Sequence, residues 1–188
     1  MDFKNTLRKK IDRKLASLSE KEKTKFSEQV TTNITESNLW LNSKEIFIFI
    51  SFKDEVETDN IIKRAISENK KVYTPLISKD GMKFFRIDNI PWDNLVKSRY
   101  GILEPPKGLP EGLPTTNSIM LTPGVAFTLR GERLGRGRGY YDKYLSLYPQ
   151  LKKIALTFSI QMCDKIPTES WDIKMDYIVT EEKIYGCN

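Results

Sequence analysis

The chain has 188 residues, of which 39% are hydrophobic and 30% charged, a balance that suits one folded domain and argues against disorder. It contains no histidine, which excludes a Ser-His-Asp or Cys-His nucleophile system and every histidine metal site. Its 31 basic and 25 acidic residues give a net charge of +6, which favours anionic partners without choosing among nucleic acid, membrane and phosphorylated small molecules.

The sequence predicts a cytoplasmic protein. No apolar run approaches the roughly 20 residues of a membrane-spanning helix, and the basic N-terminus is not followed by the apolar stretch of a secretory signal. Cys163 and Cys187 form no CxxC pair, so free thiols in a reducing compartment are expected.

The first forty residues predict two helices. Apolar side chains recur at helical spacing from Phe3 to Leu18. Ser19 and Glu22 then have the spacing of a capping box, in which each side chain binds the other residue's backbone amide.

From residue 45 onward, short apolar strands alternate with helices. The predicted strands are 45–51, 71–75, 82–87, 118–122, 153–158 and 177–180. The predicted helices are 58–69, with Thr58 as its N-cap, and 140–148, and the Pro- and Gly-rich segment 88–117 predicts a long irregular loop. This alternation predicts a single α/β domain over residues 1–188, with a mostly parallel sheet flanked by helices.

The most informative segment is rich in arginine and glycine and joins a predicted strand to a predicted helix. Backbone amides at its glycines and at the helix N-terminus can surround phosphate oxygens, and its arginines offer planar donors. The segment lacks the Gly-Lys-Ser/Thr ending of a Walker A loop and does not match GxGxxG. From composition alone, a phosphate-binding loop, an RNA contact and a surface turn all stay open.

This segment, residues 123–142, resembles the signature of the 5-formyltetrahydrofolate cyclo-ligase family. That signature starts Pro-Gly-x-x-Phe and continues Gly-x-Arg-Leu-Gly-x-Gly-x-Gly-Tyr-Tyr-Asp. Residues 4–8, 50–58 and 167–181 also resemble family segments, so the resemblance extends over nearly the whole chain. It implies a fold like that of the ribose-phosphate isomerase and glucosamine-phosphate deaminase group.

The resemblance also implies a reaction. ATP and 5-formyltetrahydrofolate give ADP, phosphate and 5,10-methenyltetrahydrofolate, because the formyl oxygen attacks the γ-phosphoryl group and N10 then closes the ring. Mg²⁺ is the implied cofactor, held by Asp142 and Asp176. Arg136 and Tyr140 are the implied catalytic residues.

The implied binding residues fall into two sets. The ATP set is Lys4, Arg8, Arg133, Leu134, Gly135, Arg136, Gly137, Arg138, Gly139, Tyr140 and Tyr141. The folate set is Ile50, Phe52, Glu55, Tyr100, Arg136 and Tyr140. The implied protein is a monomer or weak dimer without a nucleic-acid or membrane partner, and its basic surface suits polyglutamylated folate.

The chain departs from the family pattern at three positions. Tyr100 replaces the usual Trp, Thr128 stands where Asp is common, and Trp171 precedes Asp172 where His is usual. Two alternatives stay open. One is an RNA-binding protein that uses Arg136, Arg138, Tyr140 and Tyr141. The other is an enzyme of the same fold that acts on a sugar phosphate or another formyl compound.

Overall fold

The fold is built on a seven-stranded sheet in a computed structural model that describes residues 3–98 and 101–187. The helices are α1 (Phe3–Ala16), α2 (Glu20–Thr35), α3 (Asn38–Leu41), α4 (Asp59–Ser67) and α5 (Tyr140–Leu147). The strands are β1 (Glu45–Ile48), β2 (Lys71–Ser78), β3 (Gly81–Arg86), β4 (Val96–Lys97), β5 (Leu103–Glu104), β6 (Ser118–Thr122), β7 (Ala126–Phe127), β8 (Arg133–Leu134), β9 (Lys152–Leu156), β10 (Tyr177–Val179) and β11 (Ile184–Gly186).

The sheet has the strand order β11-β10-β9-β6-β1-β2-β3. Its five inner strands pair in parallel, and β3 and β11 add antiparallel edges. All residues of β1 and β6 are buried, as expected for parallel strands covered on both faces. The predicted α/β class with a mostly parallel sheet is therefore confirmed, and the carboxyl ends of these strands share one edge.

The capping box predicted at the start of α2 is present. The Ser19 Oγ accepts from the Glu22 amide at 3.3 Å, and a Glu22 carboxylate oxygen accepts from the Ser19 amide at 2.8 Å. The box starts a helix whose Val30 and Ile34 are fully buried against the sheet. Burial of such a side chain stabilises the fold by roughly 1.5–3 kcal/mol.

Thr58 has a different role from the predicted one. It occupies the N-cap position of α4, but its side chain makes no capping hydrogen bond. Its hydroxyl instead accepts from the Ser51 amide at 2.9 Å, and the Ser51 hydroxyl accepts from the Thr58 amide at 3.2 Å. This reciprocal pair closes the segment between β1 and α4, and so fixes the loop that carries Glu55.

The segment 88–117 is irregular, as predicted, apart from a 3-10 turn at Trp92–Asn94 and the short pair β4 and β5. The sequence does not predict the hairpin of β7 and β8 or the edge strand β11. Cys163 and Cys187 are both free thiols. None of the helices within residues 3–98 and 101–187 combines the length and hydropathy needed to cross a bilayer.

Candidate active site

The arginine-glycine segment begins where β6 ends, and a short hairpin folds it back toward that strand. Val125 donates to the Leu134 carbonyl at 2.7 Å, and Ala126 and Phe127 pair with Leu134 and Arg133. Beyond the hairpin the chain leads into α5 through Gly137 and Gly139, whose φ angles are +96° and +66°. These left-handed conformations suit glycine, so the sequence permits a tight loop here.

Helix α1 contacts this loop through Arg8. The Arg8 Nε donates to the Gly135 carbonyl at 2.9 Å, and Arg8 Nη1 donates to the Asn5 side chain at 2.6 Å. A Cβ at Gly137 would lie 3.4 Å from Arg8 Nη2, so the loop backbone passes close to this guanidinium. The structure thus brings Arg8, in α1, to the loop that the family resemblance assigns with it to ATP binding.

Arg133 lies beneath the loop rather than on its surface. Its Nη2 is 2.8 Å from an Asp142 carboxylate oxygen, and its Nη1 donates to the Pro123 carbonyl at 3.3 Å. Its guanidinium carbon lies 5.5 Å from the centre of the Tyr141 ring. Burial raises the pKa of the Tyr141 hydroxyl, as does the charge of Glu55, while Arg133 opposes the shift. Tyr141 is therefore a neutral side chain between Arg133 and Glu55.

Two carboxylates lie at one corner of this site. Asp142 accepts from the Ile173 amide at 3.2 Å, so the backbone that carries Asp172 lies next to Asp142. The Asp172 carboxylate is 2.8 Å from Lys4 Nζ and accepts from the Glu169 amide at 2.8 Å. Burial by itself would raise the pKa of Asp172, but these bonds and the charges of Lys4 and Arg133 hold it below its usual value. Asp172 is thus an ionised carboxylate.

Asp172 is a site residue that the sequence prediction does not assign as a metal ligand. The available signal was its place in the family-like C-terminal segment, 167–181.

Asp176, the predicted second metal ligand, lies elsewhere. Its carboxylate accepts from the Lys153 amide at 2.7 Å and is 3.0 Å from Lys153 Nζ. These contacts lie where β9 and β10 begin, whereas the arginine-glycine loop follows the carboxyl end of β6. The Asp176 carboxylate thus contacts Lys153, whereas Asp142 is bonded by the backbone amide that follows Asp172.

Glu55 forms the other side of the site. Its carboxylate accepts from the Phe52 amide at 3.0 Å. Burial raises its pKa to about 7, although the Phe52 hydrogen bond and the Arg136 charge oppose the shift. Ile50 is buried after β1, and Phe52 is half-buried with Lys53 Nζ 5.1 Å from its ring centre.

A cavity of about 450 Å³ adjoins Ile50 and Ser51. Lys63, Lys97 and Leu103 are among the residues that line its far side. The predicted contact Tyr100 lies outside the described residues.

The remaining predicted residues differ in access. Arg136 and Arg138 are exposed, and Arg136 pairs with Asp12 at 2.8 Å. Tyr140 is half-buried in the first turn of α5. Leu134 is 2% exposed and packs in the core, so only its backbone could reach a nucleotide.

Comparison with known proteins identifies the family of this chain. The chain matches the 5-formyltetrahydrofolate cyclo-ligase family over residues 1–181. The chain belongs to this family. Among cyclo-ligases, a 5-formyltetrahydrofolate cyclo-ligase of Mus musculus is 34% identical over 95% of this chain and 94% of its own length. A probable 5-formyltetrahydrofolate cyclo-ligase of Caenorhabditis elegans is 32% identical over 96% and 93%.

A solved structure of a methenyltetrahydrofolate synthetase has a similar fold. The NMR structure of Aquifex aeolicus 5,10-methenyltetrahydrofolate synthetase superimposes with a TM-score of 0.84 at 30% identity, covering 97% of this chain and 92% of the other. The predicted family is therefore confirmed, and nothing in these comparisons supports the RNA-binding alternative.

Proposed function

We propose that this chain closes 5-formyltetrahydrofolate to 5,10-methenyltetrahydrofolate with ATP, which becomes ADP and phosphate. The observation that carries the proposal is a pair of contacts next to the arginine-glycine loop: Lys4 pairs with Asp172, and the amide of the following residue, Ile173, bonds Asp142. Two adjacent carboxylates with nearby cations suit a metal-bound triphosphate. The family relationship supplies the folate.

ATP lies along the loop between Arg8 and α5 in this proposal. Gly137 and Gly139 let the backbone approach phosphate oxygens closely, and the N-terminus of α5 favours negative charge. Arg136 and Arg138 are exposed on the same loop and can reach the phosphates as planar donors. Lys4 contributes a further positive charge when phosphate competes with Asp172 for it.

The carboxylates of Asp142 and Asp172 would hold Mg²⁺. No cluster of three or more metal-ligating side chains exists within residues 3–98 and 101–187. Two carboxylates nevertheless fit, because Mg²⁺ in nucleotide sites is usually bound by one or two carboxylates, phosphate oxygens and water. Bound there, the ion would neutralise charge on the phosphates.

The pterin would lie against Glu55, with Ile50 and Phe52 beside it. Pterin rings carry adjacent N–H donors, and an ionised carboxylate can accept two of them. Glu55 lies on the β1–α4 loop, and its charge acts on Tyr141, so it would join the folate side of the site to the ATP side. The cavity beside Ile50 has a volume typical of ligand sites and could receive the rest of the folate.

The chemistry needs positioning and charge neutralisation rather than a protein nucleophile. The formyl oxygen attacks the γ-phosphorus, and the bond to ADP breaks. N10 then attacks the formyl carbon and loses its proton, and phosphate leaves with the formyl oxygen. Arg136 would neutralise charge on the transferred phosphoryl group, and Tyr140 would orient the folate beside it. The absence of histidine is compatible with this route.

Several further properties stay predictions. They are a cytoplasmic location, a monomer or weak dimer, polyglutamylated substrates, the absence of nucleic-acid and membrane partners, and the fold relationship to ribose-phosphate isomerase. An enzyme that acts on a different substrate, such as a sugar phosphate, would not need a pterin contact at Glu55.

The test is an absorbance assay for the methenyl product. Purified protein is mixed with 5-formyltetrahydrofolate, ATP and Mg²⁺, and the near-ultraviolet absorbance is followed. A rise that requires both ATP and Mg²⁺, and that is lost in Arg136→Ala and in Asp142→Asn, is expected. A flat trace from folded protein that binds ATP would contradict the proposed substrate.

A further inference from the structure

Arg133 differs from its neighbours in the arginine-glycine loop because it is buried. Its side chain is 4% exposed, whereas that of Arg136 is 56% exposed. A residue that binds ATP phosphates through its guanidinium must be reachable from the nucleotide. Arg133 has the charge of a phosphate ligand, but its position in the fold is that of a core residue.

The contacts of Arg133 join three elements of the site. One nitrogen binds the Asp142 carboxylate in the first turn of α5, at 2.8 Å, and another binds the Pro123 carbonyl at the end of β6, at 3.3 Å. The guanidinium carbon lies 5.5 Å from the centre of the Tyr141 ring. Arg133 therefore fixes the start of α5 relative to the sheet.

The loop backbone also lies against this guanidinium. A Cβ added at Gly135 would be 3.2 Å from Arg133 Nη1. This distance is tighter than most contacts of a Cβ, so a side chain at 135 would press on the Arg133 guanidinium. The Arg133 Nε has no hydrogen-bond partner within the described part of the chain, so the charge is balanced chiefly through Asp142.

We infer that Arg133 is a positioning residue that orients Asp142 for the metal, and not a ligand of the ATP phosphates. The inference rests on the proposed function. A carboxylate that binds a metal is oriented by the hydrogen bonds that its oxygens accept, and each ionised oxygen keeps a further acceptor site for the metal. Loss of such a partner costs about 10- to 100-fold in metal affinity. The Ile173 amide and Arg133 take opposite oxygens of Asp142, and so set its plane.

Calorimetric titration with ATP separates the two roles, because it can be done with Mg²⁺ and with EDTA. Arg133→Met is expected to weaken ATP binding about tenfold or more in Mg²⁺ and to change it less than about threefold in EDTA. Arg138→Met is the matched comparison, since Arg138 is exposed on the same loop. As a direct phosphate contact it is expected to weaken ATP binding by a similar factor in both conditions.

Three outcomes would overturn the inference. Equal losses in Mg²⁺ and EDTA for Arg133→Met would make Arg133 a phosphate ligand. Unchanged binding in both would make it structural only. Tighter binding in Mg²⁺ would mean that it competes with the ion for Asp142. If the ATP affinity of the wild-type protein did not depend on Mg²⁺, the proposed function would be contradicted instead. The two hypotheses can therefore fail independently.

A double variant supports the same test. In an Asp142→Asn background, Arg133→Met is expected to cause little further loss of Mg²⁺-dependent affinity, because both residues act through one carboxylate. If Arg133→Met does not fold, Arg133→Lys keeps the charge but loses the two-nitrogen geometry, and is expected to show the same selective loss in Mg²⁺. Additive losses in the double variant would contradict the inference.

Discussion

Lys4 and Asp172 form an ion pair with 2.8 Å between Nζ and the carboxylate oxygen, although 168 positions separate them in the sequence. Both side chains are about four-fifths buried. The pair joins the first turn of α1 to the turn that precedes β10. An ATP phosphate that bound Lys4 would displace Asp172 from this pair, and the Asp172 carboxylate could then bind a metal.

The first prediction concerns this pair. Asp172→Asn is expected to reduce ATP affinity strongly in Mg²⁺ and much less in EDTA, because it removes a metal ligand. Lys4→Met is expected to reduce affinity in both conditions, because it removes a phosphate contact. Calorimetric titration of the two variants provides the measurement. Asp176→Asn is the comparison, and a loss there equal to that of Asp172→Asn would contradict the proposed metal site.

The second prediction concerns pH and stability. Glu55 has a pKa of about 7 when folded, against 4.5 for an ordinary glutamate. Between pH 4.5 and pH 7 the folded protein keeps a proton on Glu55 that the unfolded chain has released. The free energy of unfolding therefore falls as the pH rises through this range, and the decrease is nearly complete above about pH 7. Glu55→Gln removes this contribution. From pH 5 to pH 8, the free energy of unfolding of wild type is therefore expected to fall by on the order of 2 kcal/mol more than that of the variant.

Urea unfolding of both proteins at the two pH values checks this prediction. Glu57→Gln is the matched control, because Glu57 is an exposed carboxylate two residues away. The same difference between pH 5 and pH 8 in the Glu55 variant as in wild type would show that the folded carboxyl titrates normally.

Much of this molecule can be predicted from sequence where local rules decide. The Ser19–Glu22 capping box depends on four consecutive residues, and both of its hydrogen bonds are present. The hydrogen bond of Thr58 could not be predicted in this way. Its hydroxyl accepts from the Ser51 amide, which lies close only after β1 and α4 have packed.

The same dependence on tertiary packing limits what the sequence predicts about the site. The arginine-glycine segment is a local motif, and its place at the end of β6 follows from strand-helix alternation. Asp172 and Asp176 are both acids in one short segment, and only the strand register shows that Asp176 pairs with Lys153 at the start of β9. The burial of Arg133 likewise depends on the hairpin of β7 and β8, which composition does not reveal.

The third prediction uses Trp171 as a reporter. Trp171 is 67% exposed in a turn closed by the Asp172 amide on the Glu169 carbonyl at 3.1 Å. Because the next residue is the ion-pair partner of Lys4, ATP binding is expected to change the fluorescence of this exposed indole. Trp171→Phe is expected to abolish most of the change, whereas Trp40 is fully buried and reports only folding. An unchanged emission while calorimetry shows bound ATP would place the nucleotide away from this turn.

The fourth prediction tests a close backbone approach. Gly131 has a φ of +79°, and a Cβ there would lie 2.3 Å from the Met175 carbonyl oxygen. The two backbone segments are held together by a hydrogen bond, because the Met175 amide donates to the Gly131 carbonyl at 2.8 Å. Gly131→Ala is therefore expected to destabilise the protein by about 3 kcal/mol or more, from conformational strain and the clash together.

Gly108→Ala separates these two causes. Gly108 has a similar φ of +90°, but nothing lies within 4 Å of a Cβ there. Strain alone is expected to cost about 1–2 kcal/mol at this position. Thermal unfolding of the two variants gives the comparison, and equal losses would mean that the Met175 carbonyl moves aside readily.

The fifth prediction separates stability from activity at Arg136. Its ion pair with Asp12 has a distance of 2.8 Å, but both side chains are about half exposed. Such pairs contribute roughly 0–1 kcal/mol, so neither Arg136→Ala nor Asp12→Ala is expected to shift the unfolding transition appreciably. Arg136→Ala is nevertheless expected to abolish methenyl formation, because the exposed guanidinium is the proposed partner of the transferred phosphoryl group.

Asp12→Ala is the informative control for this prediction. It removes the same ion pair but leaves Arg136 available, so activity is expected to be kept, with an unchanged or tighter apparent affinity for ATP at low salt. Product absorbance measured at several ATP concentrations tests both variants. If Asp12→Ala lost activity as completely as Arg136→Ala, the ion pair itself would be required, and Arg136 would act by holding α1 against the loop rather than by meeting the phosphate.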